Sequence, residues 1–227
     1  MKTLGIIGGM GPLATADLFK MIIELTPAKS DQEHIPVLID SNTNIPDRTA
    51  AILNGGKDPR PEMIHSAKRL QEAGADYLLM SCNTAHYFYD DIAENIHIPL
   101  LHMPKLTAEY ARQKGYKKVA LLATDGTIKS GVYSNAFGNS GVEIITPDEE
   151  RQKSIMGFIY DGVKSGNWHY PIGPVEKALS ALSTLGAEAF ILGCTELPIG
   201  FKEFHIEAPT INPTEVLARK AIETILG

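Results

Sequence analysis

Short apolar runs and longer amphipathic stretches alternate along the whole chain. Thr3 to Gly8, Pro36 to Asp40, Lys118 to Ala123 and Val142 to Ile145 are compact apolar runs that read as strands buried on both faces. Pro12 to Leu25 carries apolar residues at Leu13, Ala16, Leu18, Phe19, Ile22 and Ile23, a helical spacing opened by a proline. Further helices are expected at Glu62 to Ala73, Thr84 to Asn95, Lys105 to Lys114, Ile128 to Phe137, Glu149 to Lys164, Val175 to Leu185 and Pro213 to Leu226. Gly74, Gly115 and Gly186 stop three of them. Ile98 to Leu101 and Pro209 to Ile211 read as short strands. Ser41 to Asp58 is polar and reads as loop, with a short helix after Asp47.

Two stretches organise this pattern. Gly74-Ala75-Asp76-Tyr77-Leu78-Leu79-Met80-Ser81-Cys82-Asn83-Thr84 aligns without a gap to Gly186-Ala187-Glu188-Ala189-Phe190-Ile191-Leu192-Gly193-Cys194-Thr195-Glu196. Each cysteine ends a parallel strand, where open α/β sheets place their ligands. Ile98-Pro99-Leu100 follows Cys82 much as Ala208-Pro209-Thr210 follows Cys194. The expectation is an α/β protein of two similar Rossmann-like domains, each with a four-stranded parallel sheet, related by a pseudo-two-fold. Residues 1–103 with 209–227 would form the first domain, carrying Cys82, and residues 104–208 the second, carrying Cys194. The active site would lie in the cleft between them, with the two strand ends face to face.

Composition narrows the function. The net charge of −6 offers no basic footprint for nucleic acid or an anionic membrane. Two cysteines in 227 residues make no disulfide framework. No apolar run is long enough to cross a bilayer. Lys2 and the apolar stretch after it have the outline of a signal peptide, but three glycines and a proline fit a strand and turn better. A cytoplasmic protein is expected.

Two cysteines at matching strand ends suit three uses. A disulfide switch needs the sulfurs in contact. A metal site wants more ligands, and no Cys-x-x-Cys or histidine cluster supplies them. The third use is acid–base work on one carbon from opposite faces, which inverts a stereocentre. A helix beginning after each cysteine would lower the thiol pKa below about 8.5 and favour thiolate. Gly8-Gly9-Met10-Gly11-Pro12 also invites a nucleotide-binding reading, but it lacks the third glycine of the Rossmann fingerprint and no Walker lysine follows.

The chain resembles the cofactor-independent aspartate/glutamate racemases, and most closely the aspartate racemases. Gly8-Gly9-Met10-Gly11-Pro12, Cys82-Asn83-Thr84-Ala85-His86, Ala123-Thr124-Asp125-Gly126-Thr127 and Gly193-Cys194-Thr195-Glu196-Leu197-Pro198 carry the resemblance, which spans essentially the whole chain. It implies a racemase with Cys82 and Cys194 as its two bases, Cys194 serving the L-enantiomer and Cys82 the D-enantiomer. It implies no cofactor, an acidic amino acid as substrate with aspartate first, and a homodimer. Glutamate, a broader substrate set, or a non-catalytic binder of acidic amino acids are the rivals.

The resemblance also assigns binding residues. Met10, Asn83, Thr84 and Thr195 would hold the α-carboxylate and ammonium. Arg48 and Lys164 would grip the side-chain carboxylate. Asp47 would orient Arg48. Tyr160, four residues before Lys164 and so on the same helix face, would help position it. Glu196 either hydrogen-bonds the substrate ammonium or orders its loop. Thr127 and Asp125 read as structural, and His86 as a satisfied structural histidine.

Overall fold

The computed structural model describes residues 1–227. The chain divides into two compact units, 1–106 with 214–227, and 107–213.

The first unit opens with β1 (Leu4–Gly8), α1 (Pro12–Leu25), β2 (Val37–Ser41), α2 (Arg48–Asn54) and α3 (Arg60–Glu72). β3 (Tyr77–Met80), a 3₁₀ turn at Thr84–Phe88 and α4 (Tyr89–Ala93) follow. The sheet is parallel, in the order β2-β1-β3. Side chains alternate across it as the pleat requires. Ile7, Leu78 and Met80 pack with Met63, Ala67, Leu70, Phe88 and Ile92. Leu4, Ile6 and Leu79 pack with Leu18, Ile22, Leu217 and Ala221. Both faces are therefore covered, which explains why β1 is apolar without interruption.

The second unit shares α5 (Met103–Gln113) with the first. It continues with β4 (Lys118–Leu122), α6 (Asp125–Lys129), α7 (Val132–Phe137), β5 (Glu143–Ile145) and α8 (Glu149–Gly157). A π-helical turn at Phe158–Lys164, α9 (Gly173–Thr184), β6 (Ala189–Leu192), α10 (Glu196–Glu203) and β7 (Thr210–Ile211) complete it. α11 (Pro213–Leu226) carries the chain back to the first unit. This sheet is parallel in the order β5-β4-β6-β7.

The internal repeat is a repeat of sheet order. β2, β1 and β3 correspond to β5, β4 and β6. The ladder bonds correspond too: Leu78 donates its amide to the Pro99 carbonyl at 2.8 Å, and Phe190 donates to Pro209 at 2.8 Å. Three expectations need correction. The fourth strand of the first sheet is a single parallel bridge, Leu78 to Leu100, so that sheet has three strands rather than four. Residues 209–213 belong to the second unit rather than the first, because β7 pairs with β6. The expected long helix Glu149 to Lys164 changes from α to π at Phe158.

Candidate active site

Each cysteine lies two residues beyond a strand that pairs with the first strand of its unit, β3 with β1 and β6 with β4. The Ser81 amide makes the last ladder bond to Ile7 O at 3.2 Å, and the Gly193 amide makes the matching bond to Leu122 O at 2.7 Å. Cys82 and Cys194 follow directly. Each is 7% exposed, and neither is in a disulfide.

Around Cys82 the Gly8–Pro12 turn is shaped by Thr15. Its hydroxyl accepts from the Gly9 amide at 3.0 Å, donates to Gly11 O at 2.9 Å and meets Ser81 Oγ at 3.0 Å. Gly9 has φ +84° and its Cα faces the Asn42 backbone, so a Cβ there would collide with it. This turn sets the Met10 carbonyl, which accepts from Arg48 Nη2 at 3.3 Å. Arg48 Nη1 donates to Pro46 O at 2.9 Å and Ile45 O at 3.3 Å, while its buried Nε has no partner. The guanidinium is thus pinned by carbonyls and not neutralised by a carboxylate. Asp47 does not orient it through a contact of its own; its carboxylate caps α2 by accepting from the Ala50 amide at 2.6 Å. Asn83 and Thr84 are buried beside Cys82.

Around Cys194 the polar partner is a carboxylate. The thiol donates to Glu196 Oε2 at 2.9 Å, and Thr195 Oγ1 donates to the same oxygen at 3.3 Å. Glu196 Oε1 lies 3.6 Å from Lys164 Nζ, which in turn sits 4.8 Å above the Tyr160 ring. Tyr160 and Lys164 therefore do meet, across the π-helical turn. Burial, and then the charge of Glu196, push the Cys194 thiol well above the usual thiol range; Lys164 pulls the other way. The expected lowering by the helix that follows is outweighed: α10 begins right after Thr195, yet desolvation and a carboxylate at contact distance dominate.

Sequence reading missed three contributors. Thr15 hides in the first turn of an ordinary amphipathic helix. Gln152 ties α8 to the Thr124 turn, donating to Ala123 O at 3.0 Å and Asp125 Oδ1 at 2.8 Å. Tyr133 is fully buried; burial raises its hydroxyl pKa, Thr107 hydrogen-bonds it, and the charge of Cys194 is felt there too. Thr124 caps α6 with its hydroxyl 3.3 Å from the Thr127 amide. No three His, Cys, Asp or Glu side chains gather where they would hold a metal ion. No helix is long and apolar enough to cross a membrane.

Known proteins carry the same frame. A broad specificity amino-acid racemase of Bacillus subtilis (strain 168) is 26% identical over 230 residues, covering 99% of this chain and 98% of its own. The aspartate racemase of Picrophilus torridus superposes with a TM-score of 0.87 at 30% identity, over 99% of this chain and 94% of that one. An aspartate racemase homologue from Pyrococcus horikoshii OT3 gives a TM-score of 0.81 at 28% identity, with both chains covered completely. The model of the Asp/Glu/Hydantoin racemase family matches residues 7–221, and the chain belongs to that family.

Proposed function

We propose that the protein interconverts L- and D-aspartate by two-base proton transfer, with Cys82 and Cys194 as the bases and no cofactor. The observation that carries this is the repeat itself. Two buried thiols end equivalent strands of equivalent sheets, each entering a polar turn. Two-base racemisation requires one substrate Cα within reach of both sulfurs.

For D-aspartate, the Cys82 thiolate takes the α-proton from one face. The Cys194 thiol then gives its proton to the other face, leaving L-aspartate, a Cys82 thiol and a Cys194 thiolate. Proton exchange with solvent resets the pair. The reverse reaction exchanges the roles. Cys194, held as a thiol by burial and Glu196, is ready to act as the acid. For L-aspartate it must first lose its proton, and Lys164 together with the substrate ammonium supply the positive charge that favours this. Asn83, Thr84, Thr195 and the Met10 turn are the donors and acceptors for the α-carboxylate and ammonium. There they stabilise the carbanion as it forms. Arg48, whose charge has no carboxylate partner, is the first holder of the distal carboxylate, and Lys164 the second. Glu196 serves the cysteine. We take the enzyme to be cytoplasmic and a homodimer, as the family resemblance implies.

A wider substrate range is the second reading. The Bacillus subtilis relative is described as of broad specificity and is covered nearly end to end. One methylene in a pocket is worth only about 1–3 kcal/mol, so glutamate is a close competitor. Proton NMR of L-aspartate in D₂O with the protein tests both. Loss of the α-proton signal with appearance of D-aspartate is expected. Binding without exchange would leave a sensor, and faster exchange of other amino acids would establish the broader range.

A further inference from the structure

The two cysteine carbonyls are held in different ways. At Cys194 the backbone suffices: the Leu197 amide, in the first turn of α10, donates to Cys194 O at 2.9 Å. At Cys82 the following turn is 3₁₀ and its first bond from a main-chain amide runs from His86 N to Asn83 O, at 3.1 Å. The Cys82 carbonyl is taken by a side chain instead, His86 Nδ1 at 2.9 Å. On its far side the same ring accepts from the Met103 amide, the first residue of α5, at 3.1 Å from Nε2.

The partners decide the tautomer. A carbonyl demands a hydrogen on Nδ1, and an amide N–H demands a bare Nε2. The ring is 2% exposed, stacked on Tyr89 at 6.4 Å and tilted against His102 at 5.3 Å. Tyr89 is itself fixed by donating to Leu100 O at 2.7 Å. Burial, then His102, holds His86 down to about 3, so it stays neutral at any working pH.

We propose that His86 is the positioning residue of Cys82, a neutral strut between the base's own peptide and the start of α5 that aims the thiol at the substrate Cα. The inference rests on the two-base reading of Cys82. Beyond Ser81 the sheet no longer holds the chain, so this strut fixes what the ladder does not. A base displaced by about 1 Å loses about a hundredfold in rate.

Two isosteric variants separate aim from mere packing. An asparagine amide occupies the place of Nδ1, and a glutamine carbonyl the place of Nε2. His86→Asn keeps the Cys82 bond and loses Met103; His86→Gln does the reverse. Both are expected to lose thermal stability to a similar degree. Only His86→Gln should slow proton transfer at Cys82, lowering kcat about a hundredfold. The decisive readout is the primary isotope effect on kcat/KM with each Cα-deuterated enantiomer. In His86→Gln it should rise for D-aspartate, whose deuterium Cys82 removes, and fall for L-aspartate. In His86→Asn the wild-type balance should persist. The same balance in both variants would overturn the inference. So would wild-type nitrogen NMR placing the His86 hydrogen on Nε2, or showing that ring charging between about pH 5 and 8. Full racemisation by Cys82→Ala would instead strike the two-base reading beneath it.

Discussion

The Cys82 and Cys194 ends share a backbone and differ in what surrounds the sulfur. Both leave the sheet one residue after a matching ladder bond, from Ser81 on one side and Gly193 on the other. At Cys194 the main chain fixes the peptide and a carboxylate takes the thiol proton's hydrogen bond. At Cys82 a histidine fixes the peptide. In the Cys82 unit Arg48 is pinned by carbonyls, whereas in the Cys194 unit Lys164 pairs with Glu196. Duplicating a fold therefore duplicates positions and not chemistry. Each base is adjusted by its own neighbours, and the asymmetry can be probed one side at a time.

The largest effect is expected at the cations. Arg48→Ala should lower kcat/KM for aspartate by about a thousandfold, since losing one partner of a desolvated pair typically costs about 3–5 kcal/mol. Turnover of an alanine-sized substrate should be unchanged. Equal losses for both substrates would mean that Arg48 shapes the Met10 turn and does not read the distal carboxylate.

Glu196→Gln sharpens the contrast in thiol chemistry. It removes a negative charge and a carboxylate acceptor, both of which raise the Cys194 pKa. The pKa should fall, so alkylation of Cys194 in a Cys82→Ala background should set in at lower pH than with Glu196 present. Turnover should drop about tenfold as the carboxylate that orients the thiol is lost. An unmoved alkylation profile would detach Glu196 from the thiol.

Exchanging the residues before the cysteines tests how far the repeat goes. A Cβ at Gly193 would lie 2.5 Å from Leu121 Cδ1 and 3.2 Å from Leu122 O, so Gly193→Ser should cost about 1–3 kcal/mol through overpacking. Ser81→Gly loses the bond to Thr15 Oγ1 and should cost about 1–2 kcal/mol from that bond and from backbone freedom. Denaturant midpoints measure both. Equal, negligible shifts would make the two ends interchangeable.

The smallest effect is the acid sensitivity that two imidazoles give the Cys82 unit. Burial holds His86 down to about 3 and His102 to about 4. Unfolded, both titrate near about 6.5. Below that pH the unfolded chain binds protons that the folded one refuses, so the stability present above it is lost as pH falls toward 4 and then 3. The melting temperature should fall over this window, and less steeply in His86→Asn. Identical slopes would show that the ring is not buried neutral.

The strands, most helices and the two cysteine turns were legible because burial on both faces writes itself as apolar runs and because the repeat aligns without gaps. What escaped depends on partners far apart in sequence. β7 joins the second sheet because it pairs with β6, and its residues alone do not say so. The turn from α to π at Phe158 leaves no mark in the four-residue spacing of Tyr160 and Lys164, which still meet. Thr15 and His86 act through side-chain hydrogen bonds into a turn, and an isolated threonine or histidine carries no periodic signal. The thiol pKa expected from helix amides was reversed at Cys194 by burial and then by a carboxylate whose side-chain direction no spacing specifies.

The most direct test of the two-base chemistry is deuterium incorporation at Cα, with chiral analysis, for Cys82→Ala and Cys194→Ala with each enantiomer of aspartate. Neither variant should racemise in either direction, since each lacks the acid one way and the base the other. Cys82→Ala should still exchange the α-proton of L-aspartate without inversion, through Cys194, and Cys194→Ala should do the same for D-aspartate. Full racemisation by either single variant would contradict two-base catalysis and assign the reaction to one mobile base or to water.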